Sequence, residues 1–212
     1  MKVLLVNGSP NKNGCTFTAL SEVEKTLNEE GIETEIFWIK TKPITGCIAC
    51  LKCGEKGKCT FDKDVVNEFV EKAYDADAFV FGSPVYYAGA NGSMVSFLDR
   101  AFYSNSHGSD GDAFKHKPGA VVCSARRAGT TATLDQLNKY FTITQMPLIS
   151  GRYWNMVHGA TPEDVKQDLE GMQNLRTVAR NMAWFLKCKE AGEKAGITPP
   201  ETEAVIRTNF IR

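Results

Sequence analysis

Apolar residues fall into two kinds of pattern, and the two kinds alternate along the chain. Residues 2–7 (KVLLVN) form an unbroken apolar run closed by Gly8-Ser9-Pro10. A run without alternation predicts a strand buried on both faces, as in a parallel sheet. Over residues 16–30, Phe17, Leu20, Val23 and Leu27 recur at helical spacing, and Gly31 stops the segment. Residues 33–39 predict a second strand. Residues 64–74 predict a helix carried by Val65, Val66, Phe69, Val70 and Ala73. The run-then-turn pattern returns at residues 78–84 and 119–124, followed by helices over 93–102 and 131–141. Residues 146–150 predict a short fifth strand. Residues 162–189 predict a helix broken near Gly171, and the last twenty residues, with Pro199-Pro200, an arm.

Strand alternating with helix makes βαβ units and a three-layer α/β sandwich. Ligands of such sheets bind beyond the carboxyl ends of the strands. Three strands here end in turns rich in Gly, Ser and Pro, which belong on that one edge.

Charge and cysteine content narrow the setting. Among 212 residues Lys+Arg and Asp+Glu each number 25, a formal balance of zero. That removes the broad electrostatic case for nucleic acid or an anionic membrane, and argues against a small acidic carrier. No apolar run approaches the roughly 18–20 residues that span a bilayer. The opening run falls short of an export segment of about 7–15 residues, so the sequons at Asn7 and Asn91 carry no weight. Seven cysteines, four of them crowded into residues 47–59, point to a reducing cytoplasm and a metal or redox site.

The first loop, residues 8–16, joins a buried strand to a helix, so free N–H groups and the helix dipole converge on one spot. Ser9 and Thr16 add hydroxyls. This suits a phosphate monoester, although neither a Walker A loop nor a G-x-G-x-x-G fingerprint is present. The second loop, residues 83–92, places Tyr86 and Tyr87 among small residues, a slot for a planar ring. In the third, residues 124–130, Arg126 and Arg127 offer cations to an anionic cofactor or nicotinamide phosphate. Cys15 stands at a helix start, which favours thiolate, and also reads as a small loop residue. Cys123 and Cys188 read as buried. His107, His116 and His158 lack ligand spacing, and no hydrolytic constellation is visible.

Cys47-x-x-Cys50-x-x-Cys53-x5-Cys59 is the most specific signal in the chain. Four thiolates on short spacers suit one [4Fe–4S] cube. Zinc prefers two well-separated knuckles, and a redox dithiol or an empty loop uses the same residues. Lys52, Lys56 and Lys58 would offset a thiolate-bound cluster's charge.

The opening V-N-G-S-P-N-K-N-G-C-T, the G-S-P-V-Y-Y loop and the R-R-A-G-T-T loop resemble the NADPH-dependent FMN reductase family of flavodoxin-like proteins. The cysteine insert is similar to that of the iron–sulfur flavoproteins in the same superfamily. The resemblance covers about residues 1–190. It implies a five-stranded parallel sheet of order 2-1-3-4-5 and a flavodoxin-like FMN-binding domain over residues 1–190. The cysteine-rich insert would lie at 45–60 and a C-terminal arm at 191–212. It implies that Ser9, Asn11, Cys15 and Thr16 hold the FMN phosphate, although relatives often carry Asn at the position of Cys15. Pro84, Val85, Tyr86, Tyr87 and Gly89 would line the ring, and Ser124, Arg126, Arg127 and Gly129 would close the site. Cys47, Cys50, Cys53 and Cys59 would be the metal ligands. The implied activity passes electrons from NAD(P)H through FMN to a small acceptor or redox protein, in a homodimer or homotetramer. The aromatic stretch at residues 153–158 would cover a flavin. Two rivals share the fold: an electron carrier using a [4Fe–4S] cluster, and a non-catalytic redox-sensing module.

Overall fold

In the computed structural model, which describes residues 1–108, 112–206, 208 and 210, the unbroken apolar runs become the inner strands of one sheet. Strand β1 (Lys2–Asn7) pairs in parallel with β2 (Glu33–Trp38) on one side and β3 (Ala78–Tyr86) on the other. β3 doubles back into the two-residue β4 (Gly89–Ala90), while its other edge takes β5 (Gly119–Ala125) and then β6 (Met156–His158). The order is β2-β1-β3-β5-β6. Setting the short antiparallel β4 aside, this is the expected 2-1-3-4-5 arrangement.

The fifth parallel strand is not where the apolar run placed it. Residues 146–150 meet the sheet only through a bridge between Leu148 and Gly119. Pro147 has no N–H for a ladder, and the strand that continues the sheet is Met156–His158, against Cys123, Ser124 and Ala125.

Among the described residues there are seven helices: α1 (Cys15–Glu29), α2 (Cys53–Lys56), α3 (Val66–Tyr74), α4 (Gly92–Gly108), α5 (Thr130–Ile143), α6 (Pro162–Gln167) and α7 (Leu169–Lys194); α2 belongs to the cysteine loop and packs on α4. Successive β1 residues point to opposite faces. Val3 and Leu5 join Leu20, Leu175 and Met182 in an aliphatic core under α1 and α7. Leu4 and Val6 join Phe69, Phe97 and Phe141 in an aromatic core under α3, α4 and α5. Phe81 stacks on Phe141 at 4.8 Å and Phe102 on Phe114 at 4.2 Å. Each such side chain contributes about 1.5–3 kcal/mol on burial.

Three further differences have local causes. α4 runs past residue 102 because its last turns make polar contacts: Ser104 donates to Ala101 O, and Asn105 donates to Asp112 and accepts from Ala113 N. The break in the long helix falls at Asp168, whose carboxylate accepts from Gly171 N at 2.9 Å and His158 N at 2.7 Å. Cys123 is buried as expected, but Cys188 faces outward. Of the expected arm, positions 207, 209, 211 and 212 lie outside the described residues.

Candidate functional site

The carboxyl ends of the parallel strands share one edge and are tied there by main-chain bonds. Gly8 N donates to Gly82 O at 2.8 Å, and Gly159 N to Ala125 O at 3.0 Å. The loop after β1 is held by its own polar groups. Buried Asn7 accepts from Ser9 N at 3.1 Å and donates to Lys12 O at 3.0 Å, and Ser9 Oγ accepts from Asn11 N at 3.1 Å. A Cβ on Gly8 would come within 2.7 Å of Met94 Sδ and 2.8 Å of Gly82 O, so the turn needs glycine. Trp38, at the end of β2, donates its indole N–H to Ser9 O at 2.8 Å, and the Lys12 ammonium lies 5.7 Å over its ring. Trp38 carries no motif for this role; its only signal is a polar-tipped aromatic closing a strand at the ligand edge.

α1 begins after Gly14 with no side-chain cap and no acidic residue in its first turn. The amides that a helix start leaves unpaired, with the positive end of its dipole, therefore face the loop's hollow. An anion fits this donor set. Thr16, expected to offer a hydroxyl, and Ser124, expected to close the site, are buried and bonded to one another at 2.8 Å, tying α1 to the end of β5. That bond uses one of the two O–H groups and leaves the other to donate. Asn11 is exposed, with its side chain about the helix start, 3.1 Å from where a Gly14 Cβ would stand. Cys15 remains a thiol: burial pushes its pKa up, its own main-chain amide pulls it back, and Asp164 and Glu163 add to the rise.

The second loop is the hairpin between β3 and β4. Tyr86 pairs with Gly89, so the turn residues are Tyr87 and Ala88, with φ of 50° and 58°. Two positive φ values are the mark of a type I′ turn, which Asn-Gly fills without strain. Here the strained pair throws Tyr87 fully into solvent, beside a half-exposed Tyr86. Gln136 of α5 accepts from Ala90 N at 2.9 Å, and Ser83 Oγ accepts from Asn91 N at 3.0 Å. Pro84, Val85 and Gly89 are half-buried at the base. The third loop packs against this hairpin: Gly129 has φ of 98°, and a Cβ there would lie 2.6 Å from Ala88 Cα. Arg126 and Arg127 are exposed at the end of β5, without an ion pair among the described residues. Nearby, Tyr153 and Trp154 meet edge to face at 4.7 Å, both exposed, beside His158 and Asp168. The first three loops therefore converge as expected, around a cradle for an anion and an exposed aromatic hairpin.

The cysteine loop makes a second site. Cys47, Cys50, Cys53 and Cys59 line one pocket with Phe61, Arg100, Tyr103 and Ser104. Ala49, Leu51 and Gly57 have φ of 52°, 61° and 71°, so the chain turns sharply between successive cysteines. Burial raises the Cys53 thiol; the amides of Cys53 and Gly54 pull it back, and Cys50 and Cys59 push it up again. Cys47 and Cys50 are exposed, and no three His, Cys, Asp or Glu side chains among the described residues are gathered as a ready metal-binding group. The donor set, four thiols with a cation on one of them, would nevertheless fit a thiolate-bound centre. The cation is not one of the lysines. Lys52, Lys56 and Lys58 point to solvent, and Arg100 of α4, buried in the pocket wall, donates Nε–H to Cys59 Sγ at 3.2 Å. Its sequence signal is a charge three residues after Phe97, on the apolar face of a helix.

The chain matches the family model of NADPH-dependent FMN reductases over residues 1–161. An iron–sulfur flavoprotein of Methanocaldococcus jannaschii is 31% identical over 194 residues, covering 88% of this chain and 98% of that one. Among solved structures, RosB with a bound 8-demethyl-8-formylriboflavin-5′-phosphate superposes with a TM-score of 0.70 at 15% identity, over 100% of this chain and 92% of that one. A flavodoxin from the domain Archaea gives a TM-score of 0.57 at 14% identity, over 88% and 99%. At these identities the two structures speak for the flavodoxin-like fold alone.

Proposed function

The chain belongs to the NADPH-dependent FMN reductase family, in its iron–sulfur flavoprotein branch, and from that membership we propose a flavin oxidoreductase that takes electrons from NAD(P)H through FMN to a small acceptor. The observation that carries this reading is the uncapped start of α1 facing a held loop at the sheet edge. In it the main-chain amides of residues 15–17, with Ser9 and Asn11, bind the phosphate. Pro84, Val85, Tyr86, Tyr87 and Gly89 seat the ring, and Gly129 keeps the third loop against the hairpin. Arg126 and Arg127 lie free to hold negative charge on the bound cofactor or the nicotinamide phosphate. FMN, when bound, supplies the exchange between two-electron and one-electron chemistry. The chain supplies placement and a polar setting prepared in advance.

A second reading, an electron carrier with a [4Fe–4S] cluster held by Cys47, Cys50, Cys53 and Cys59, is favoured by the four-thiol pocket and the Arg100 contact. The exposed Tyr87, Tyr153 and Trp154 support a homodimer or homotetramer with aromatic surfaces covered between subunits.

Anaerobic purification followed by visible spectra, iron and sulfide analysis, and NAD(P)H oxidation tests both readings. Flavin absorbance with rapid NAD(P)H oxidation and a small-molecule acceptor upholds the reductase. Flavin with about four irons per chain, and turnover only with a ferredoxin-like donor, upholds the carrier. Protein that takes up neither FMN nor iron overturns both.

A further inference from the structure

We propose that Arg100 is a positioning residue for the cysteine-bound cluster, donating its Nε–H to the Cys59 sulfur so as to set the cluster's reduction potential; this rests on the cluster reading above. Arg100 is the largest fully buried side chain among the described residues, at 1% exposure. Burying a guanidinium is unfavourable unless its donors are met, and here they are met by the two flanks of the cysteine loop. Before the first cysteine, Thr45 O accepts at 3.4 Å; after the last, Phe61 O accepts at 2.6 Å and Asp64 takes an ion pair. The Phe61 ring lies 5.3 Å from the guanidinium carbon. An arginine guanidinium stays protonated in proteins, and Asp64 supplies its counter-charge here. One arginine thus fastens both ends of the ligand loop and turns its Nε–H onto a ligand sulfur.

A plain structural ion pair would need only Asp64. The Nε–H to Cys59 does something else. Reduction adds one electron to the cluster, with no bond made or broken, and places more negative charge on its sulfurs. A cationic donor on one of those sulfurs stabilises the reduced state more than the oxidised one, and so raises the potential. Lysine keeps the charge opposite Asp64 but lacks the planar fork that serves Asp64 and Cys59 together. The helix also joins the two sites. Met94 of α4 packs on Gly8 of the anion loop, and Arg100 follows at about 9 Å of helix rise.

The test uses anaerobically loaded protein, with dithionite as the electron donor, and compares the wild type with Arg100→Lys and Asp64→Asn. Iron and sulfide content, midpoint potential and the EPR spectrum of the reduced cluster are measured for each. The expected result is a loaded Arg100→Lys protein with a more negative midpoint and altered g-values, and an Asp64→Asn protein that shifts much less. An Arg100→Lys protein with the wild-type midpoint and g-values overturns the proposal, as does an equal shift in Asp64→Asn. If Arg100→Lys does not load, wild type grown on 15N-arginine decides. A 15N hyperfine coupling to the reduced cluster upholds the contact, and its absence overturns it. Wild type that never takes up iron defeats the underlying cluster reading instead, so the two failures are told apart.

Discussion

Tyr87 and Ala88 hold a left-handed backbone that their side chains disfavour, each at a cost of about 1–3 kcal/mol. Such strain concentrates where the chain must aim a side chain, and here it sends a tyrosine into solvent beside the anion cradle. Replacing the pair with Asn-Gly should therefore stabilise the protein without flavin, raising its melting temperature by about 2–4 °C for each kcal/mol recovered, while weakening FMN binding. Calorimetry and a flavin titration on the same preparation check both halves; a variant that gains no stability contradicts the strain. Cys123 sets a pH limit. Burial pushes its thiol up to about 12, whereas an unfolded cysteine titrates near 8.5. The folded state thus keeps the proton, so this contribution is whole below about pH 8.5 and is lost as pH rises toward 12. Half-buried Cys15 and buried Cys53 lean the same way. Cys123→Ala should flatten the fall in urea midpoint between about pH 8.5 and 10.5, and an unchanged slope would contradict this. At this scale the sequence was a partial guide. The spacing of Cys47, Cys50, Cys53 and Cys59 was a guide to their sharing one pocket, but Trp38 and Arg100 act through contacts with distant segments, 29 and 41 residues away, that no local pattern encodes.

The elements most legible in sequence were those whose burial is two-sided. β1, β3 and β5 are buried through most or all of their length, and an unbroken apolar run can do little else in a parallel sheet. β6 was missed because three residues carry no period, and its pairing is set by the partner strand. The neighbouring run with Pro147 looked more like a strand and makes only a bridge. The loop after β1 was legible as a cradle, though not as one braced from β2. Trp38→Phe keeps the ring under Lys12 and removes the bond to Ser9 O, a loss of about 0.5–1.5 kcal/mol. FMN affinity should fall by up to about tenfold, and the denaturant midpoint of the flavin-free protein should fall with it. Fluorescence titration measures this, and an unaltered affinity removes Trp38 from the account.

Across the whole molecule, one sheet edge gathers the loop after β1, the aromatic hairpin and two exposed arginines, and α4 runs from that edge to the cysteine pocket. The topology was legible because strand and helix alternate so regularly. The cysteine pocket's wall was not, since it is built from α4, a helix that follows the insert by some thirty residues in sequence. No described helix is long and apolar enough to cross a membrane. The exposed aromatic pair Tyr153 and Trp154 should be covered by a second copy; light scattering of the flavin-loaded protein should give a dimer or tetramer mass, and a monomer would contradict that assembly. The central claim is that main-chain amides at the start of α1 clasp the phosphate of FMN, and titrating the flavin-free protein with FMN and with riboflavin tests it most directly. Two charge-assisted hydrogen bonds of about 1.5–3 kcal/mol each predict FMN binding at least about a hundredfold tighter. Riboflavin binding within about threefold of FMN would contradict the claim.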